Sequence, residues 1–211
     1  MEDDFSEEEF REACLDLKAS APAGRGWESL VESEGFEIYR RLEERTGLYE
    51  YKAFGNFKDC PPALCIDVYM DLDYRKQWDS YVKELYEKEI HGKLVVYWEV
   101  KYPFPMSNRD YVFVRDRRDL DLNGQTVHVI LAKSCSKSKI PVKDSVIRVS
   151  NYRQSLVIES DGKNGCKVSM FYHDNPEGMI PSWLINWAAK NGVPNFLKDI
   201  QEACRNYPRR K

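Results

Sequence analysis

The sequence predicts an α+β fold built on a largely antiparallel sheet. Three observations lead there. Extended runs come in pairs joined by tight-turn dipeptides, most clearly at Asn123-Gly124. Helical periodicity is confined to the N-terminus, residues 59–79 and the C-terminus. The order (helix, two or three strands, helices, about six strands in hairpins, one long helix) segregates the two kinds of element.

Ser6-x-x-Glu9 has the form of a capping box, and Phe10, Ala13, Cys14 and Leu17 follow at helical spacing. Ser20 to Gly26, rich in Ala, Gly and Pro, ends that helix. Phe36–Leu42 and Leu48–Phe57 read as a hairpin with a longer loop. Between Asp59 and Asp79 the period changes to three and four, through Leu64, Cys65, Val68, Tyr69 and Leu72, with a break expected near Asp71 to Asp73. Strands are expected over 82–90 and 93–102, around His91-Gly92, and over 111–120 and 125–134. One long run over 145–160 is expected to turn at Asn164-Gly165 into 166–174. Residues 181–207 close the chain as a helix that Gly192 and Pro194 should kink. It is too apolar and aromatic for a surface helix, and should lie across the concave face of a curved sheet.

A length of 211 residues suits one domain, expected over 1–211. The 35 acidic residues exceed the 32 Lys+Arg, a balance that argues against a dedicated nucleic-acid binder. No apolar stretch approaches the ~20 residues of a membrane span. The acidic start, Met1 to Glu9, lacks the apolar core of a signal peptide. The six cysteines are therefore expected to be reduced thiols, in a cytoplasmic protein.

No nucleophile elbow, zinc-protease, P-loop or dinucleotide motif occurs. His173-Asp174 could make a general base pair, but neighbouring strand residues point to opposite faces. Cys60-x-x-x-x-Cys65 offers two zinc ligands without a second pair in sequence, so a helix start is the better reading. Arg115, Arg117 and Arg118 alternate with Asp116 and Asp119, as on a solvated strand. No catalytic residue, metal site or cofactor is expected.

Three features point to a ligand. Arg75 and Asp79 stand at i and i+4 beside Trp78. Exposed, the pair is ordinary decoration; buried, it would preorganise a guanidinium for an anion such as phosphate. Trp98 shares a strand face with Leu94, Val96 and Val100. Tyr152, Gln154, Leu156 and Ile158 share another, polar at one end. A plain core explains most of these positions, but a buried Gln154 amide needs partners.

Long blocks carry a family resemblance: Tyr74-Arg75-Lys76-Gln77-Trp78-Asp79, the run from Val96 through Tyr102-Pro103-Phe104-Pro105-Met106-Ser107-Asn108-Arg109-Asp110 to Val112, Pro181-Ser182-Trp183-Leu184-Ile185-Asn186-Trp187, and Ala188 to Asp199. Over roughly residues 27–207 the chain resembles the START (steroidogenic acute regulatory-related lipid transfer) domain family. It departs in its first two dozen residues and over 134–144. The resemblance implies a helix-grip fold, a curved antiparallel sheet around a long C-terminal helix with a lipid tunnel between them. It implies a non-catalytic carrier of one phosphatidylcholine between membranes. Trp98, Tyr111 and Tyr152 would cage the choline, Arg75 with Asp79 and Tyr69 would hold the phosphate, and Gln154 would reach an ester oxygen. Trp183 and Trp187 would serve as tunnel lid or membrane contact, helped by the tail Pro208–Lys211. A monomer is implied, with bilayer contact through the last helix. The same pocket would also suit a lipid-sensing adaptor for a partner such as an acyl-CoA thioesterase, or a carrier of sterol or ceramide. Two acyl chains demand a cavity at or beyond the top of the ~300–1,000 Å³ range of ordinary pockets.

Overall fold

A computed structural model describes residues 3–17, 22, 24–33, 35–135 and 140–208. The residues 209–211 of the expected tail lie outside them. Helix α1 (Glu7–Ala13) starts at the Ser6 capping box, where the Ser6 hydroxyl accepts from Glu9 N–H and the Glu9 carboxylate accepts from Ser6 N–H. It buries Phe10 on the convex face of the sheet, against Val127, Val129, Leu131 and Val157.

The sheet runs β1 (Glu28–Ser33), β2 (Phe36–Glu43), β3 (Leu48–Phe57), β10 (Cys166–Asp174), β9 (Tyr152–Ser160), β7 (Gln125–Ser134), β6 (Arg109–Leu122), β5 (Lys93–Val100), β4 (Val82–Ile90), every pair antiparallel. The run expected over 145–160 is two strands. Short β8 (Ile147–Val149) pairs parallel with β6, and the chain breaks at Ser150-Asn151 before β9. The Asn123-Gly124 turn has positive φ at both residues, as its sequence requires. The next turn differs from expectation: Gly162, not Gly165, takes the positive φ, and Asp161 Oδ1 accepts from Lys163 and Gly165 N–H. Gly165 is needed for space, since a Cβ there would lie 2.5 Å from Phe57 carbonyl oxygen. Arg117 and Arg118 are solvated ion-pair partners of Asp119 and Asp116, as expected. Arg115 instead turns inward and donates to the Met70 carbonyl and to Glu87.

Between β3 and β4 the chain forms α2 (Pro62–Met70) and α3 (Leu72–Trp78), broken at Asp71. Asp71 caps α3 by accepting from Tyr74 N–H. The C-terminal element is one bent rod, α4 (Ser182–Trp187), a π-helical turn (Ala188–Gly192) and α5 (Val193–Asn206). Pro194 has no N–H to continue the ordinary ladder, and Val193 N–H reaches back five residues to Ala188 C=O. Leu197, Ile200, Ala203 and Cys204 of α5 pack on Ile130, Leu156, Ile158, Val168 and Met170. The expected placement of this helix across the sheet is observed. Among the described residues no helix is long and apolar enough to cross a membrane.

Candidate functional site

A chamber of about 240 Å³ opens between β5, β6, β9, β10 and the α4–α5 rod. It is smaller than the tunnel expected from two acyl chains. Beyond it α5 side chains are packed on the sheet, and the open chamber has a mostly apolar wall in which Arg75, Asp79, Gln154 and Asp174 are set.

Trp98, Tyr111, Arg75, Asp79 and Gln154 all line this chamber. The Arg75–Asp79 pair is buried, not exposed. Arg75 Nε donates to Asp79 Oδ2 at 3.1 Å, with side chains only 11% and 7% exposed. Asp79 Oδ1 also accepts from Tyr81 N–H. The Arg75 guanidinium lies 4.9 Å from the Trp98 ring centre and 5.4 Å from that of Phe196.

Trp98 and Tyr111 are directly cross-strand partners, and their rings stack at 4.6 Å. Tyr152 meets both edge-on, at 6.0 and 5.3 Å. It stands behind those rings and does not line the chamber, and neither does Tyr69, which lies in the core beneath α5. Burial raises the pKa of the Tyr69, Tyr111 and Tyr152 phenols, so each is a neutral O–H donor at neutral pH. Tyr152 O–H donates to Gln154 Oε1 at 2.6 Å, while the Gln154 amide nitrogen has the Met170 thioether at 3.5 Å, a weak acceptor. Trp98 Nε1 is buried and, among the described residues, has no hydrogen-bond partner. Leu94, expected inward with Trp98, is 61% exposed because it sits at the tip of the His91-Gly92 hairpin.

Two site residues escaped the sequence reading. Tyr172 and Asp174 alternate with Met170 on the inward face of β10, opposite Gln154 and Tyr152. Asp174 Oδ2 accepts from Tyr111 O–H at 2.5 Å and Tyr172 O–H at 2.8 Å. Burial raises its pKa, against the two phenol hydrogen bonds, which lower it. His173 points the other way, to Glu43 at 3.2 Å, so the two make no catalytic pair. The signal that could have found Asp174 is the period-two series Met170, Tyr172, Asp174.

Trp183 and Trp187 separate. Trp187 lines the chamber and packs edge-on to Tyr81 at 5.7 Å, whereas Trp183 is 47% exposed.

A curved antiparallel sheet gripping a bent C-terminal rod, with an apolar chamber that holds a few buried charges between them, is the architecture of a lipid-binding module, and the START domain model matches residues 7–210: the chain belongs to the START domain family. It is 66% identical over 203 residues to phosphatidylcholine transfer protein of Homo sapiens and to that of Bos taurus, covering 96% of this chain and 95% of each relative. Among solved structures it is similar in fold to human STARD10, with a TM-score of 0.80 at 24% identity, over 97% of this chain and 82% of that one.

The buried ion pair yields a stability test. Asp79→Ala leaves Arg75 without its carboxylate and should cost about 3 kcal/mol in denaturant unfolding, the usual scale for a halved buried pair. Arg75→Met combined with Asp79→Leu should restore most of that loss. A single substitution without effect would show that the pair is solvated.

Proposed function

We propose that this chain is a non-catalytic carrier that takes up one phosphatidylcholine and exchanges it between membranes. The observation that carries this reading is a buried guanidinium–carboxylate pair set against a cluster of inward-facing rings. A quaternary ammonium has no N–H and is recognised by aromatic faces, at ~2 kcal/mol or more when desolvated. A phosphate in the same dry chamber needs a cation that stays charged, which selects Arg. The relatives named for phosphatidylcholine transfer point to the same lipid. Native mass spectrometry of freshly purified protein tests the reading: one intact choline phospholipid per chain is expected, and a sterol, or cleaved lipid, would overturn it.

In this reading Arg75 already occupies the place on Trp98 that the ammonium takes. The incoming phosphate draws the guanidinium to itself, and Trp98 with Tyr111 then receives the choline. Tyr152 backs the cage and fixes Gln154, whose amide N–H is left for an ester oxygen. Tyr69 joins the phosphate once the lipid parts α5 from the sheet. Asp174 places a negative charge behind the Tyr111 and Tyr172 hydroxyls, enriching those rings and balancing the ammonium.

The bilayer contact is proposed at the chamber's rim. Phe104 and Met179 are 95% and 92% exposed, on the loops before β6 and before α4, and Trp183 stands on α4 itself. Buried Arg109 ties the two loops together, donating to the carbonyls of Ser107, Pro176 and Glu177. Three apolar side chains on a braced rim suit an interface, where they trade water for acyl chains.

Trp98→Ala should weaken phosphatidylcholine binding about thirty-fold, the equivalent of ~2 kcal/mol, and phosphatidylethanolamine much less, whereas Arg75→Gln should weaken both. Equal losses for Trp98→Ala in a lipid-competition assay would remove the cage assignment. A cation favours ionised Asp174, so affinity for choline lipid should fall as pH drops through the raised Asp174 pKa, and Asp174→Asn should abolish that dependence. Phe104→Asp with Met179→Asp should slow transfer between vesicles while leaving the amount of bound lipid unchanged; unaltered transfer would move the docking surface elsewhere.

A further inference from the structure

We propose that Cys60, Cys65, Cys166 and Cys204 form a four-sulfur site for a soft divalent metal, zinc being the natural occupant. Sequence shows only Cys60-x-x-x-x-Cys65; the fold supplies the second pair from 101 and 139 residues beyond Cys65, at the start of β10 and the last turns of α5. The sulfurs of Cys60, Cys65 and Cys166 all lie within 4.8 Å of one another. Cys204, on the face of α5 that packs in the same core, lies beside this group of three and interacts electrostatically with Cys60 and Cys65. All four residues are at most 3% exposed. A tetrahedral zinc–thiolate centre has Zn–S bonds of ~2.3 Å and hence sulfurs roughly 3.8 Å apart. Closing Cys60, Cys65 and Cys166 onto an ion therefore takes side-chain movements of about an ångström or less, and Cys204 moves further to complete the four.

The surroundings favour a metal over a disulfide. Three buried thiols lie mutually close with a fourth beside them, whereas a disulfide would use two and strand the others. Each ligating thiol would release one proton to solvent as its sulfur–metal bond forms. Negative charge is also provided for. Helix α2 has Pro61 at its N-cap position without a side-chain cap, and Cys60 and Cys65 flank and belong to its first turns, at the positive end of its dipole. The ion would pin α2, β10 and the far end of α5 into one block. This inference does not rest on the lipid reading.

The test uses the whole chain, purified under reducing, oxygen-free conditions, stripped with a chelator and titrated with Co²⁺. One equivalent should give the intense visible bands of tetrahedral cobalt thiolate, Zn²⁺ should bleach them, and zinc should raise the melting temperature. Cys166→Ser and Cys204→Ser should each abolish the bands while Cys14→Ser keeps them, with circular dichroism confirming that every variant is folded. Absence of bands in folded protein, bands that persist in the Cys166→Ser/Cys204→Ser double variant, or a disulfide among the four found by mass spectrometry would each overturn the proposal.

Discussion

A charge inside an apolar chamber must be neutralised before any ligand arrives, and this constraint shapes the polar end of the molecule. Leaving one buried ion without a partner costs several kcal/mol, a large part of a domain's whole stability. Each buried charge at this end accordingly has fixed protein partners. Arg75 has Asp79, Arg109 has three backbone carbonyls, and Asp174 has two phenol hydroxyls. The local fold follows from these needs. Helix α3 must end at Asp79 for that carboxylate to serve both Arg75 and the Tyr81 amide. The loops before β6 and α4 must approach within hydrogen-bonding reach of one guanidinium.

The same bookkeeping of contacts divides the C-terminal rod in two. Its far end is fastened by Tyr74 O–H to the Ala203 carbonyl at 2.7 Å, by Tyr207 O–H to Asp71 at 2.8 Å, and by the apolar faces of Leu197 and Ile200. On the other side of the π-helical turn, α4 buries only Leu184. A π turn is a weak point, because an inserted residue leaves the backbone ladder stretched. Motion about residues 188–192 would swing α4 and its preceding loop while α5 stays seated.

Much of this was legible in the sequence, for physical reasons that differ by element. Hairpins with Asn-Gly turns, the Ser6 capping box and the Asp71 break are local, and their residues state their own geometry. Trp98 and Gln154 were placed inward by strand alternation alone. Burial of Arg75 with Asp79 was not legible, since i,i+4 spacing is the same on a wet face and a dry one; only the packing of Trp98 and Phe196 against the guanidinium decides it. Asp174 was hidden by its neighbour. Read as half of a His–Asp pair it looked idle, whereas its phenol partners lie on β6 and beside it on β10. The cysteine group was invisible because its members are 5, 101 and 38 residues apart. Tyr69 and Tyr152 are near the site, yet neither lines the open chamber, a matter of packing that the resemblance does not convey.

The small chamber is compatible with a large lipid once the two halves of the ligand are considered separately. Two chains of about fifteen methylenes expose on the order of 25 kcal/mol of apolar surface in water, at ~0.8 kcal/mol per CH₂. They need not find a ready-made void. Leu156, Ile158, Val168 and Met170 are already out of water against α5, and acyl chains sliding between sheet and helix replace one apolar contact with another at nearly equal free energy. An empty tunnel of full size would instead forfeit those contacts and destabilise the carrier between deliveries. The headgroup permits no such exchange, because its charges lose water on entry and must meet partners already in place. A packed path for the chains and an open chamber whose charges are already paired are therefore what a carrier needs if it is to survive empty and still recognise its cargo.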